Sequence, residues 1–229
     1  MSFEFRVSDA SLSEIGNEQT KLVEVSDFFE APEDVISAAA TEKLARINPH
    51  YPGIRAPVER ALLENLCHCV SDLAVQHLGQ STRLWEGQAW YSIVTQTPGR
   101  LTPIQRLPHF DGFDEDQLAV MIYLNRTEHG GTGFYRHLST GFERVTEERY
   151  PDYKNSLEQG VREAGLPPAA YPSDGAPHFE KIYESDAAFN NFILYPGTLL
   201  HSGVIRDDLP LPSDPVQGRL TINGFFRPR

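Results

Sequence analysis

His109-Phe110-Asp111 sets an imidazole and a carboxylate two residues apart. In an extended segment, side chains at i and i+2 leave the backbone on the same side, so this pair can grip one metal ion. His201 would complete a set of two histidines and one carboxylate, which caps one face of a metal and leaves three positions open. The triplet alone is weak evidence. With 8 His and 32 acidic residues in 229, such a triplet is expected by chance, and the chain holds another in His178-Phe179-Glu180. Its surroundings favour the first. Pro108 precedes it, and the polar residues 114–117 lead into residues 118–125, a nearly continuous apolar run that reads as a central strand. His178 lies instead in a proline-rich stretch with no long flanking strand.

Two further features suggest a polar ligand beside that metal. Tyr123 interrupts the apolar run with a hydroxyl, and a buried tyrosine points its hydroxyl at a partner. Near the C-terminus, Arg219, Thr221 and Asn223 alternate with Leu220 and Ile222. The apolar face suits a barrel wall and the polar face suits a lumen. A buried guanidinium there needs an anion, and it grips a carboxylate through two parallel hydrogen bonds.

The elements that must carry these residues follow from periodicity. Residues 21–26 read as a strand. Pro32, Glu33 and Asp34 open a helix that runs to about Ala45, since proline and acidic residues suit a first turn. In residues 59–78, Leu62, Leu66, Val70 and Leu73 recur at helical spacing, and Gly79 is a natural stop. From Trp85 onward the period becomes that of strands, over residues 89–95, 101–107, 118–124, 133–137, 189–195 and 219–226. Two supporting helices followed by many strands predict an α+β, mainly β protein built as a double-sheet, jelly-roll-like barrel. One domain over residues 1–229 is expected, with an insertion at about 146–185 marked by Tyr150-Pro151, Pro167-Pro168 and Tyr171-Pro172 and covering one end of the barrel.

Composition narrows the partners. A net charge of −12 makes phosphate-tracking of nucleic acid or an anionic membrane surface a poor match. No apolar run reaches the ~20 residues that span a bilayer, and residues 1–10 lack the apolar stretch of a secretion signal. Only Cys67 and Cys69 occur, so a reducing cytoplasm is the expected compartment. Cys67-His68-Cys69 sits within a helical pattern and reads as small helix residues rather than a metal clip.

Taken in order, Pro108-His109-Phe110-Asp111, Tyr123-Leu124-Asn125, Gly130-Gly131, residues 191–197, His201-Ser202-Gly203 and Gly218-Arg219 form a set. This set resembles the prolyl 4-hydroxylase-like branch of the Fe(II)/2-oxoglutarate-dependent dioxygenases, over roughly residues 85–229. The resemblance implies a double-stranded β-helix with Fe(II) held by His109, Asp111 and His201. It puts the distal carboxylate of 2-oxoglutarate on Arg219, assisted by the Tyr123 hydroxyl, with Thr221 and Asn223 lining the same pocket. It further implies consumption of O2 and hydroxylation of a small molecule, an amino acid, or a peptide or protein side chain.

The intervals from His109 to His201 and from His201 to Arg219 are both long for that branch, and Arg206 is a rival anchor at shorter spacing. Two other readings share the same residues. One is a cupin-type metalloenzyme that does not use 2-oxoglutarate, for which Arg219 would matter little. The other is a non-catalytic metabolite-binding module on the same fold.

Overall fold

Among the residues that the computed structural model describes (3–81, 84–126, 128–172, 174 and 177–229), thirteen regular elements follow one another. They are β1 (Ser11–Ile15), β2 (Thr20–Val25), α1 (Pro32–Thr41), β3 (Gly53–Pro57), α2 (Arg60–Leu73), β4 (Trp85–Val94), β5 (Leu118–Tyr123), β6 (Thr132–His137), α3 (Tyr150–Ala164), β7 (Phe179–Glu184), β8 (Phe192–Pro196), β9 (His201–Gly203) and β10 (Leu220–Pro228). The strands form two antiparallel sheets, one of seven in the order β1-β2-β8-β5-β10-β4-β3 and one of three in the order β7-β6-β9.

Alternation along the central strands divides the interior. Leu118, Val120 and Ile122 of β5, with Leu220, Ile222 and Phe226 of β10, pack with α1, α2 and the Phe28-Phe29 pair. The residues between them, Ala119, Met121 and Tyr123, cluster with Phe134 of the small sheet and with Tyr195. The large sheet is therefore covered by helices on one face and meets the small sheet on the other. On α2, Leu62, Leu66, Val70 and Leu73 are fully buried, as their spacing predicts. A π-helical turn, Ala74–Leu78, continues that helix and ends at Gly79, whose φ of 76° is the left-handed stop that glycine supplies.

Several elements differ from the sequence expectation. α1 ends at Thr41, because Ala45 leaves the helix to exchange backbone hydrogen bonds with Arg55. Residues 101–107 are not a strand: Pro103–Arg106 is a 3₁₀ turn in which the Thr102 amide donates to Gln105 Oε1 at 2.9 Å. Pro103 has no amide to give a ladder, so the local turn prevails. β3 and β7 are strands that periodicity did not mark, both obscured by flanking prolines and glycine. Phe189 lies outside β8, whose first residue is Phe192. Residues 146–185 hold α3, which starts at Tyr150, and all of β7, which is hydrogen-bonded to β6. No helix of the described residues is long and apolar enough to cross a membrane.

Candidate metal site and its cavity

The segment carrying His109 and Asp111 runs alongside β9 and is fastened to it. His109 N donates to the His201 carbonyl at 2.9 Å, His201 N donates back at 2.7 Å, and Asp111 N donates to the Gly197 carbonyl at 2.7 Å. Main-chain pairing therefore brings together residues 92 positions apart, and their ring centroids lie 4.4 Å from each other. His109 Nε2 is 3.9 Å from Asp111 Oδ1, and His201 Nε2 is 3.6 Å from Asp111 Oδ2. One ligand atom from each residue falls within 4.8 Å of the others, and no other group of three such residues was found among the described residues. Donors at about 2.1 Å from a first-row metal and at right angles are about 3 Å apart, so small side-chain rotations would close the set.

Three observations fit a metal. Asp111 Oδ2 is buried with no hydrogen-bond partner, a costly state that an ion would relieve. The His201 Nδ1 proton goes to the Leu199 carbonyl at 2.8 Å, because a carbonyl can only accept. This fixes the tautomer and leaves the Nε2 lone pair facing the cluster. The ionisation states also match. Burial pushes His201 down to about 4, against the pull of its Leu199 bond. Enclosure, then the neighbouring His201, lowers His109 too; its side chain is 54% exposed to the open cavity, so that push is the weaker of the two. Burial raises Asp111 to about 6, with His109 and Arg55 opposing. At neutral pH the cluster thus offers two neutral imidazoles and one carboxylate.

The cluster opens into a cavity of about 460 Å³ whose walls include Arg219, Asn223, Phe225, Tyr195 and Arg55. This lies within the ~300–1,000 Å³ range of small-molecule sites. Arg219 is only 3% exposed. Its Nη2 donates to the carbonyls of Gly130 at 3.0 Å and Gly131 at 3.3 Å, its Nε has no partner, and it forms no ion pair among the described residues. Burial lowers its pKa, the mark of a cation lacking an anion. Gly131 must be glycine for this seat, since a Cβ would come 2.1 Å from the Ser185 carbonyl oxygen.

Tyr123 stands behind this wall. Its fully buried hydroxyl lies 2.8 Å from both Thr132 Oγ1 and Ser185 Oγ, and its ring centroid is 5.8 Å from the Arg219 guanidinium carbon. Thr132, not Tyr123, lines the cavity. Thr221 is also buried; its hydroxyl donates to Asn223 Oδ1 at 3.0 Å and so orients an amide that does face the cavity.

The rival residues lie elsewhere. Arg206 is on the surface, paired with Asp208 at 2.7 Å and Glu128 at 3.5 Å. Glu180 is paired with Arg136 at 2.8 Å, and His178 is buried outside the cluster. Cys67 and Cys69 are free thiols on α2, and burial pushes Cys69 up to about 12. Sequence reasoning offered Arg55 only as the end of a lid segment, residues 51–55, where the structure makes it a buried cation of the cavity wall, and gave no role to Tyr195, whose ring packs edge-on to His201 at 5.0 Å. The only signal for Arg55 was a charge between apolar Ile54 and Ala56.

Comparison with curated proteins gives no match. Solved structures similar to the chain include HygX from Streptomyces hygroscopicus, described with nickel and 2-oxoglutarate bound, at 12% identity over 92% of this chain and 84% of that one, TM-score 0.47. HygX with iron bound matches at 10% identity over 92% and 83%, TM-score 0.49. A selenomethionine-labelled Fe(II)/α-ketoglutarate-dependent dioxygenase, TqaL, matches at 15% identity over 87% and 75%, TM-score 0.39. These likenesses are of general shape, at identities too low to carry residue roles across. The model of DUF6445, a family of unknown function, matches residues 7–226, and the chain belongs to that family.

Proposed function

We propose that the protein is an Fe(II)- and 2-oxoglutarate-dependent dioxygenase that hydroxylates a small molecule, an amino acid, or a peptide or protein side chain. The observation that carries this reading is the pairing, in one cavity, of a three-ligand metal set with a buried arginine that lacks an anion. A cupin-type enzyme that needs only the metal has no use for Arg219 in that state, and a passive binding module has no use for the metal set.

In this reading His109, Asp111 and His201 hold the metal on one face and leave its other positions open. Arg219 receives the distal carboxylate of 2-oxoglutarate, with Asn223 beside it. Tyr123 acts indirectly, by fixing Thr132 and Ser185, next to the glycine carbonyls that seat Arg219. When bound, Fe(II) and 2-oxoglutarate supply the oxidising power for placing one oxygen of O2 on a C–H bond, with succinate and carbon dioxide released. Apolar walls such as Phe225 and Ile205 exclude water from that chemistry. The two facing sheets are read as a double-stranded β-helix of the prolyl 4-hydroxylase-like kind. Residues 146–185 are read as an insertion in one domain, and they bring Tyr171 to the cavity wall.

The test is spectroscopic. Anaerobic protein with Fe(II) and 2-oxoglutarate should develop a weak charge-transfer band at ~500–550 nm, as expected for a keto acid chelating an open-faced iron site. His109→Ala should lose it. Iron binding without the band would remove 2-oxoglutarate and the role of Arg219 from the reading.

A further inference from the structure

The cavity contains two buried arginines, and one keto diacid accounts for only one of them. In the reading above, one carboxylate of 2-oxoglutarate goes to the metal and the other to Arg219. Arg55 remains. It is 9% exposed, faces the cavity, has no partner for Nε and forms no ion pair among the described residues. Its backbone is committed to the ladder with Ala45 and Ser92, so the side chain has no freedom to reach bulk water by moving the strand.

Aromatic rings set the orientation of its guanidinium. The Arg55 guanidinium carbon is 3.9 Å from the Tyr51 ring centroid and 5.4 Å from that of Trp90. Such stacking satisfies the faces of the guanidinium and leaves its N–H edge for a planar acceptor. Arg55 lines the same cavity as His109, Asp111, His201 and Arg219. Asp111 forms no ion pair with Arg55, and in the reading above its carboxylate would serve the metal.

We propose that Arg55 is the seat for a carboxylate of the substrate, so the protein acts on a small carboxylic acid held beside the metal set. A single arginine edge matches a planar carboxylate in two parallel bonds, while a phosphate dianion would call for more positive charge than this corner offers. The inference rests on the assignment of Arg219 to 2-oxoglutarate.

The experiment uses whole protein loaded with 2-oxoglutarate and Mn(II), a redox-stable stand-in for iron. Acetate and benzoate are titrated against acetamide and benzamide, with inorganic phosphate as a further probe, and tryptophan fluorescence is read because Trp90 adjoins Arg55. Saturable binding of the acids, about tenfold or more tighter than of the amides, is expected. Arg55→Gln should remove that preference while changing 2-oxoglutarate affinity less than about threefold, and Arg55→Lys should restore part of it. Retained 2-oxoglutarate affinity shows that the variant is folded, and the acid-against-amide comparison in the unaltered protein tests the idea without any variant.

No saturable acid binding, equal binding of the amides, tighter binding of phosphate, or an unaffected Arg55→Gln protein would each overturn the proposal. So would loss of 2-oxoglutarate in Arg55→Gln but not in Arg219→Gln. If 2-oxoglutarate fails to bind while benzoate still binds through Arg55, the dioxygenase reading falls and the carboxylate seat stands.

Discussion

His109 and His201 are joined to each other by two main-chain hydrogen bonds, at 2.9 and 2.7 Å, so the two imidazoles issue from one short ladder. Their spacing is set by backbone pairing and not by the metal. Replacing either side chain leaves that pairing intact. His201→Ala should therefore fold normally yet bind Mn(II) at least about 100-fold more weakly than the unaltered protein, measured by calorimetry. In the unaltered protein, saturating metal at ~100 times its Kd should add about 2.7 kcal/mol of stability, removable with EDTA.

Asp111 gives that site a pH signature. Burial raises its pKa to about 6, so the folded chain holds the Asp111 proton more tightly than the unfolded chain does. Ionised Asp111 therefore costs metal-free protein stability, a cost absent below about pH 4 and complete above about pH 6. Metal-free Asp111→Asn should be more stable than the parent at pH 8, by on the order of 1–3 kcal/mol, and no more stable at pH 4. Thermal melts at the two pH values decide it; an equal difference at both would show that charge is not the cause.

Glu143 behaves in the opposite sense. Burial pushes its carboxyl up, but the amides of Glu18 and Asn17 and the Arg136 guanidinium overcome this and hold it below the usual range. Those bonds measure 2.9 and 2.8 Å to the amides and 2.6 Å to Arg136, and they tie the β1–β2 turn to the segment after β6. The stabilisation is present above the ordinary glutamate pKa and is lost as pH falls through the lowered one. Glu143→Gln should cost about 1–3 kcal/mol at pH 7, and the gap to the parent should narrow on acidification, as denaturant titrations would record.

Arg219→Gln separates cosubstrate from metal. Mn(II) affinity should be unchanged, while 2-oxoglutarate affinity falls about 10- to 100-fold. Metal-free stability should not fall, since the change removes a buried charge that has no ion-pair partner. A drop in metal affinity equal to that for 2-oxoglutarate would indicate a general collapse of the cavity.

Leu66 tests the packing of helix on sheet. It is fully buried on α2, and Leu66→Ala should cost about 2–5 kcal/mol, lowering the melting temperature without altering metal affinity.

Much of this was written in periodicity. Leu62, Leu66 and Val70 announce a helix face. Leu220 and Ile222 alternating with Arg219, Thr221 and Asn223 announce a strand between core and cavity; Leu220 and Ile222 lie in the core, Arg219 and Asn223 line the cavity, and Thr221 is buried behind Asn223. Long-range pairing is what a sequence does not display. Nothing local in His201-Ser202-Gly203 says that it will lie against His109, and three residues are too few for a strand pattern. Arg55 was hidden because Pro52, Gly53 and Pro57 punctuate its strand, and proline is tolerated there only because β3 is at an edge. Tyr123 was recognisable as a buried hydroxyl, but its partners Thr132 and Ser185 belong to the other sheet and the segment after β7, so its place behind the wall and not on it was invisible.

The edge position of β3 has a consequence for how such a protein can change over time. β10, which follows Arg219, is clamped between β4 and β5, and altering it disturbs two ladders and the floor of the site. β3 touches β4 alone in its sheet, and a one-residue slip there would swap the side chain presented to the cavity. Arg55 thus sits at the margin of its sheet, and Arg219 leads into its centre. A lineage built on this plan can change what that margin presents to the cavity by revising a five-residue strand, with the central strands left as they were.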